Sequence, residues 1–340
     1  MNILIVRVSS LGDVVHNMPM VADLLRHFPQ AQIDWVVEEA YVDLVRLNSG
    51  VRHVIPFALR RWRKSLRSAE TRAELRTFRQ TLRQTAYDFI FDTQGLFKTA
   101  LVMRIARLAH AGQRIGLGNA TEGSGYEAIS RIFHTRSIPV DLHTHAVQRA
   151  RTVAAAALGY HIDSPADFGL QPPPHSDAAR RWLLLQPYAV FFHGTARAAK
   201  QWAPENWAAL GNHLAQRGLP VLLPWGSATE QREAQWLAER ITGAVVLPAL
   251  SMMDAILLAQ RGALVVGLDS GLTHVAAAYH RPTIELYCDS PRWKTEGNWS
   301  PVVINLGDVG MPPSIDAVCA AADTLLDAAH PRHIDIADPA

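Results

Sequence analysis

The chain has 340 residues, a length suited to two domains of ordinary size. Hydrophobic residues make up 49% of it and charged residues 19%, which excludes intrinsic disorder, and no stretch approaches the ~18–20 uninterrupted apolar residues of a membrane span. With 33 basic and 31 acidic side chains the net charge is only +2, so affinity for an anionic partner must come from local clustering, and two cysteines are too few for a disulfide framework or a cysteine-based zinc site.

The N-terminus has no basic n-region and no small-residue cleavage site, so a cytoplasmic chain is expected. Residues 3–8 (ILIVRV) are a short β-branched run of the kind buried in parallel sheets. A tight turn, SSLGD, then opens residues 14–28 (VVHNMPMVADLLRHF), which have helical spacing. The next elements are a strand at 33–40, a helix at 41–47 and a strand at 51–57. A strand at 87–95 follows, ending in the polar loop DTQG, then a helix at 96–109 and a short strand at 114–118. Strands alternating with helices imply βαβ units and a parallel sheet. Residues 163–177 are rich in proline and polar groups and lack periodicity, which marks a linker. A second series follows, with strands at 188–194, 219–226, 244–248, 263–271 and 282–287. The helices between them cover 204–218, 228–241, 251–262 and 272–280, and a last helix covers 314–329. The expected fold is α/β, with two doubly wound domains facing a central cleft. Ligands of such sheets bind beyond the carboxyl ends of the strands.

The chemistry-bearing residues lie at those ends. Asp13 sits at a helix start after the first strand, where the dipole favours an ionised carboxylate; it either caps the helix or serves as a general base. The turn lacks the GxGxxG pattern of dinucleotide sites. Residues 60–83 hold nine cations against Glu70 and Glu74. Arg72, Arg76, Arg79 and Arg83 share one helical face and read as a solvated surface. Arg60, Arg61, Arg63 and Lys64 surround Trp62 in a loop after the third strand, a cluster suited to phosphates, carboxylates or an anionic membrane. No nucleic-acid module accompanies it. In the second half, Thr195 and Lys200 follow one strand and Glu230 opens a helix, placed either to accept from a ribose diol or merely to favour the helix dipole. Asp269, Ser270, Gly271, Thr273 and His274 form a small-residue turn into a helix, suited to phosphate, although His274 also fits a packed core position. The histidines show no metal-site spacing.

Taken together, VRVSSLGDVVHNMP, WVVEE, VIPFALRRWRKS, DTQGLFKTA, HGTARAAKQWAPENW, LPWGSATE and GLDSGLTHVAAA resemble the lipopolysaccharide heptosyltransferases of glycosyltransferase family 9, in their order and spacing. The resemblance covers residues 1 to about 325. It implies a GT-B fold without a catalytic metal or cofactor. It divides the chain into an acceptor domain (1–165), an ADP-heptose domain (166–315) and a last helix and tail (316–340), with that helix packing back on the N-terminal domain. It implies inverting transfer of heptose from ADP-heptose to the first Kdo of Kdo2-lipid A, by a monomer at the inner face of the inner membrane. Asp13 becomes the base, with Ser10 and Gly12 shaping its loop. Arg60, Arg61, Arg63 and Lys64 become acceptor contacts. Thr195, Lys200, Glu230, Asp269, Ser270, Gly271, Thr273 and His274 become donor contacts. Two positions depart from the family pattern: Ala196 replaces a hydroxyl residue, and Ser270 replaces threonine. The rival readings are a second-heptose transferase, an epimerase of the same fold and a non-catalytic binder of anionic glycolipid.

Overall fold

The computed structural model describes residues 1–177, 179, 182–183, 186–195 and 197–329. They form two units, Met1–Pro173 with the short segment Trp293–Thr295, and Pro174–Arg292 with the chain from Glu296 onward. In the first unit the elements are β1 (Asn2–Val6), α1 (Leu11–Asn17), α2 (Pro19–His27), β2 (Gln32–Glu38), α3 (Val42–Arg46), β3 (Val51–Phe57) and α4 (Leu59–Trp62). They continue with α5 (Ala69–Gln84), β4 (Tyr87–Asp92), α6 (Phe97–Ile105), β5 (Leu108–Leu117), β6 (Arg136–Ile138) and α7 (Ala146–Leu158). The second unit holds β7 (Ala189–Phe192), α8 (Pro204–Gln216), β8 (Val221–Leu223), α9 (Ala228–Ala238), β9 (Val245–Val246) and α10 (Met252–Arg261). Then come β10 (Leu264–Leu268), α11 (Gly271–Ala278), β11 (Thr283–Tyr287), β12 (Val303–Gly307) and α12 (Ile315–Ala329).

Every named strand pairs in parallel, and the two sheets repeat one order: β3-β2-β1-β4-β5-β6 and β12-β11-β10-β7-β8-β9. The expected pair of doubly wound α/β domains is therefore present. The central strands are wholly apolar because both faces are covered: Ile3, Leu4, Ile5 and Val6 of β1 have no exposed surface, nor have Val265, Val266 and Leu268 of β10. Strand order reverses beside β1 in one sheet and beside β7 in the other, so the loops after β1 and β4, and after β7 and β10, flank the two ligand-binding switch points.

Several expectations change in detail. The helix expected at 14–28 is two helices, because Pro19 lacks the N–H that would continue the first. The basic segment expected as a loop begins with the one-turn α4. Helix α7 and strands β6 and β12 were not among the expected elements. The boundary falls at 173/174 rather than 165/166. Residues 168–171 are tied to the first unit: Asn48 donates to the Phe168 carbonyl at 2.8 Å, Ser49 N and Oγ to Gly169 O at 3.0 and 3.4 Å, and Gln171 N to Leu47 O at 2.7 Å.

The last helix also departs from expectation. Rather than packing back on the N-terminal domain, α12 places Val318, Ala321, Ala322, Leu325 and Leu326 in the core of the second unit, with Trp207, Leu210 and Leu214 of α8. Its amphipathic stripe is consumed there. His213 of α8 and Arg217 just beyond it pair with Asp323 of α12 at 2.8 and 2.6 Å. Residues 330–340 lie outside the described residues. Leu325→Ala should cost about 2–3 kcal/mol, the lower range for a buried leucine, read as a lowered urea midpoint; an unchanged midpoint would remove α12 from the core.

Candidate active site

The loop between β1 and α1 presents Asp13 through two constraints. Arg7 is 6% exposed; its Nη2 lies 2.6 Å from Asp13 Oδ1, and its Nη1 donates to the Thr93 carbonyl at 2.6 Å. Ser10 N and Oγ donate to Asp13 Oδ2 at 3.0 and 2.9 Å. Asp13 thus caps its helix and remains reachable, with 38% of its side chain exposed. Partial burial disfavours the ionised form, but Arg7, the Ser10 donors and His16 outweigh it and hold the carboxyl well below the usual carboxylate range. It is ionised at any physiological pH. The arrangement rests on the loop after β4. Gln94 accepts from Val8 N at 3.0 Å and donates to Ser9 Oγ at 3.3 Å. Asp92 accepts from Gln94 N, Gly95 N and Thr99 Oγ1, all at 3.0 Å. Burial pushes the Asp92 carboxyl up to about 6 against those three donors.

The basic cluster divides. Trp62 is 3% exposed, packed against Phe57 and Phe78, and its Nε1 donates to Glu74 at 2.6 Å. It anchors the segment rather than facing a ligand. Arg61 is held by Glu39 at 3.0 Å and Glu74 at 2.8 Å, so its charge is already compensated. Arg60, Arg63 and Lys64 are exposed and form no ion pair among the described residues. Lys98, in the first turn of α6, lies near Arg60 and Arg63 and is not among the residues singled out from the sequence. Burial lowers its pKa, nearby Glu38 opposes that, and Arg60 and Arg63 add to it. Its position after β4, beside the switch point, was the available signal. Arg149 was missed because α7 was; it lines a recess behind Asp13.

In the second unit the predicted residues converge on a buried ionic chain. Lys200 Nζ lies 2.6 Å from Asp269 Oδ2, Asp269 Oδ1 lies 3.0 Å from His274 Nε2, and His274 Nδ1 lies 2.9 Å from Glu285 Oε1. Glu285 also accepts from Tyr287 and from Gly297 N. Burial alone would lower the His274 pKa, but Glu285 and Asp269 raise it to about 10. Asp269 is held well below the carboxylate range despite burial, by His274 and Lys200. His274 is thus a buried imidazolium between two carboxylates, not a neutral core residue. Thr273 is fully buried and donates inward to the Leu268 carbonyl at 2.8 Å. This leaves Ser270, the N-cap of α11, as the more exposed hydroxyl beside Gly271. Glu230 lies in the first turn of α9 and accepts from Gly226 N at 2.6 Å. Its carboxylate lies so close to Gly194 that a Cβ there would come within 2.6 Å of it. The Thr195 hydroxyl accepts from Arg197 N at 3.4 Å. Ala196 lies outside the described residues. Among the described residues no group of three histidine, cysteine or acidic side chains could hold a metal ion.

Residues 75–322 match the family model "Glycosyltransferase family 9 (heptosyltransferase)". The chain is 38% identical over 290 residues to "Lipopolysaccharide heptosyltransferase 1" of Pseudomonas aeruginosa, covering 84% of this chain and 78% of that one. It superposes on the structure "E. coli heptosyltransferase WaaC with ADP" with a TM-score of 0.81 and 32% identity, over 96% of this chain and 100% of that one. A second structure, "E. coli heptosyltransferase WaaC with ADP-2-deoxy-2-fluoro heptose", matches with a TM-score of 0.75 and 32% identity, over 97% of this chain and 100% of that one.

The buried imidazolium has a consequence for stability. The folded His274 pKa, about 10, stands above its ordinary 6.5. The folded state therefore keeps a proton that the unfolded chain has lost, and the stabilisation is full below pH 6.5 and disappears as pH rises through about 10. Urea unfolding should show stability falling across that window, with a shallower fall in His274→Gln. Equal slopes in the two proteins would show that His274 is not charged in the folded state.

Proposed function

This chain belongs to glycosyltransferase family 9, the heptosyltransferases, and from that premise we propose that it transfers L-glycero-D-manno-heptose from ADP-heptose to the first Kdo of Kdo2-lipid A, with inversion at the anomeric carbon. The observation that carries the reading is Asp13: an ionised, reachable carboxylate fixed beside the β1 switch point. A relative named heptosyltransferase 1 and a solved relative holding a fluorinated ADP-heptose support the choice of donor and acceptor.

In this reaction an acceptor hydroxyl attacks the anomeric carbon from the face opposite the diphosphate. The new C–O bond forms as the C–O bond to ADP breaks, and the hydroxyl proton passes to Asp13. A carboxylate held this far below its usual range is a weak base, so the proton moves late, once the attacking oxygen has become acidic through bond formation. One carboxylate suffices for inversion, because the leaving diphosphate needs stabilisation of charge rather than protonation. Lys200 and the backbone N–H groups at the start of α11 supply that stabilisation. Thr195 and Ser270 add hydroxyls, and Glu230 receives the ribose diol. Lys200 is already paired with Asp269, so it approaches the diphosphate as part of an ionic chain that stays in place during the reaction. Arg60, Arg63, Lys64 and Lys98 receive anionic groups of the acceptor.

The acceptor is anchored by acyl chains, so the enzyme works at an anionic bilayer. No helix among the described residues is long and apolar enough to cross one. Each exposed cation near such a surface contributes on the order of 1 kcal/mol, and salt shortens the Debye length from ~10 Å at 0.1 M to ~3 Å at 1 M. Peripheral association should be reversible by salt.

Incubation with ADP-heptose and Kdo2-lipid A should add the mass of one heptose to the acceptor. Asp13→Ala should lower turnover by ~10²–10⁴-fold with ADP binding by calorimetry nearly intact; near-normal turnover would remove Asp13 from the mechanism. Joint replacement of Arg60, Arg63 and Lys64 by glutamine should raise the acceptor KM, leave the donor KM unchanged and weaken sedimentation with anionic vesicles at low salt. Lys200→Ala and Glu230→Ala should weaken ADP binding. The reverse pattern would place the donor in the first unit.

A further inference from the structure

Two arginines on α7 occupy opposite situations. Arg151 is 1% exposed and fully paired: its Nε and Nη2 donate to Asp23 at 2.7 and 2.9 Å, and Nη2 also reaches the Ser164 carbonyl at 2.8 Å. Arg149, two residues earlier, is 5% exposed, and its Nε and Nη2 have no hydrogen-bond partner among the described residues. A buried guanidinium without a bonded counterion is costly and is kept where it has a use. Both burial and the neighbouring Arg7 push the Arg149 pKa down, and Asp13 opposes them. Arg149 lines a recess together with Arg7, Asp13, Asn17 and Thr93. Arg7 Nε and Asn17 Nδ2 are also unpartnered and buried. Four N–H-bearing nitrogens therefore line a space whose one carboxylate, Asp13, is already bonded to Arg7 and Ser10. The recess offers about 10 Å³ of water-sized space, enough for one oxygen atom. That admits one oxygen of an anionic group, such as a planar carboxylate, and not the whole group.

We propose that this recess is a carboxylate site, in which Arg149 and Arg7 hold one oxygen of the acceptor sugar's carboxylate beside Asp13. The assignment rests on the heptosyl-transfer reading, because Kdo brings a carboxylate on the same ring as the attacking hydroxyl. It separates the two anion types of the acceptor: the exposed cations after β3 take phosphates, and the buried pair takes the carboxylate and thereby fixes which hydroxyl meets the base. An anion here also shares the charge of Arg7, which otherwise falls wholly on Asp13.

The test uses the intact protein and two deacylated acceptors, the free acid and its carboxyl methyl ester, with KM and kcat measured for wild type, Arg149→Met and Arg149→Lys. A hydrogen-bonded charge pair is worth ~10–10²-fold. Wild type should prefer the acid by that factor in kcat/KM, Arg149→Met should lose the preference by losing activity on the acid alone, and Arg149→Lys should restore part of it. Equal losses on acid and ester in Arg149→Met would make Arg149 a support for Asp13 only, and a wild-type KM in that variant would mean the recess holds water; either overturns the proposal. If Arg149→Met fails to fold, wild type decides alone, since equal use of acid and ester overturns the assignment without any variant. Absence of transfer to either acceptor defeats the heptosyl-transfer reading and this assignment together, whereas transfer without acid preference defeats the assignment alone.

Discussion

The ion pair between Arg7 and Asp13 is the constraint on which the first unit's chemistry depends. It joins the residue just after a buried strand to the first turn of a helix, at the place where the sheet reverses its strand order. A free aspartate at a helix start is ionised but mobile. Here the guanidinium and the Ser10 donors occupy both carboxylate oxygens and leave the group one orientation. The cost is basicity: the partners that aim the carboxylate also weaken its hold on a proton. Catalysis by such a group depends on position rather than proton affinity, which is why the loop beneath it is so fully bonded. Asp92 and Gln94 carry no exposed chemistry, yet their bonds to Gly95, Thr99, Val8 and Ser9 make the β1 loop rigid.

The second unit answers the same topological position with different physics. Its switch-point carboxylate, Asp269, is clamped between Lys200 and His274, and His274 is clamped in turn by Glu285. Two cations and two anions nearly cancel, so the chain can be buried without a net charge. On the proposed function, a diphosphate arriving at this end of the sheet would meet cations already fixed by anions beneath them. Little side-chain entropy remains to be lost on binding.

Much of this was legible in the sequence. Strands buried on both faces read as continuous apolar runs, and the turns after them supplied Asp13, Lys200, Glu230 and Asp269 without any structure. What stayed hidden were partnerships between residues remote in the chain. Arg61 and Trp62 stand in an apparently free basic motif, but Glu39 and Glu74, 22 and 13 residues from Arg61, neutralise one and bury the other. Thr273 looks like a phosphate ligand until its hydroxyl is seen bonded to its own strand. The destination of α12 was equally invisible, because an amphipathic period specifies that a helix has a buried face and not which core receives it. Arg149 and Arg151 differ by two positions on one helix, and only the presence of Asp23 opposite Arg151 tells the paired guanidinium from the unpaired one.

That contrast extends to the cations of the whole first unit. The chain is near neutral, and several of its arginines are accounted for by pairing: Arg52 grips Asp34 with two bonds at 2.9 and 2.8 Å, Arg151 grips Asp23, and Arg61 bridges two glutamates. Arg60, Arg63, Lys64, Lys98 and Arg149 lack an ion pair among the described residues. The first three follow β3, Lys98 follows β4, and Arg149 lies behind the β1 loop. Arg7 is paired as well, with Asp13, whereas these five cations stand by the loops after β1, β3 and β4. Net charge conceals this, since a paired and an unpaired cation count alike. On the proposed function, these unpaired cations would add to the field that draws an anionic acceptor toward Asp13.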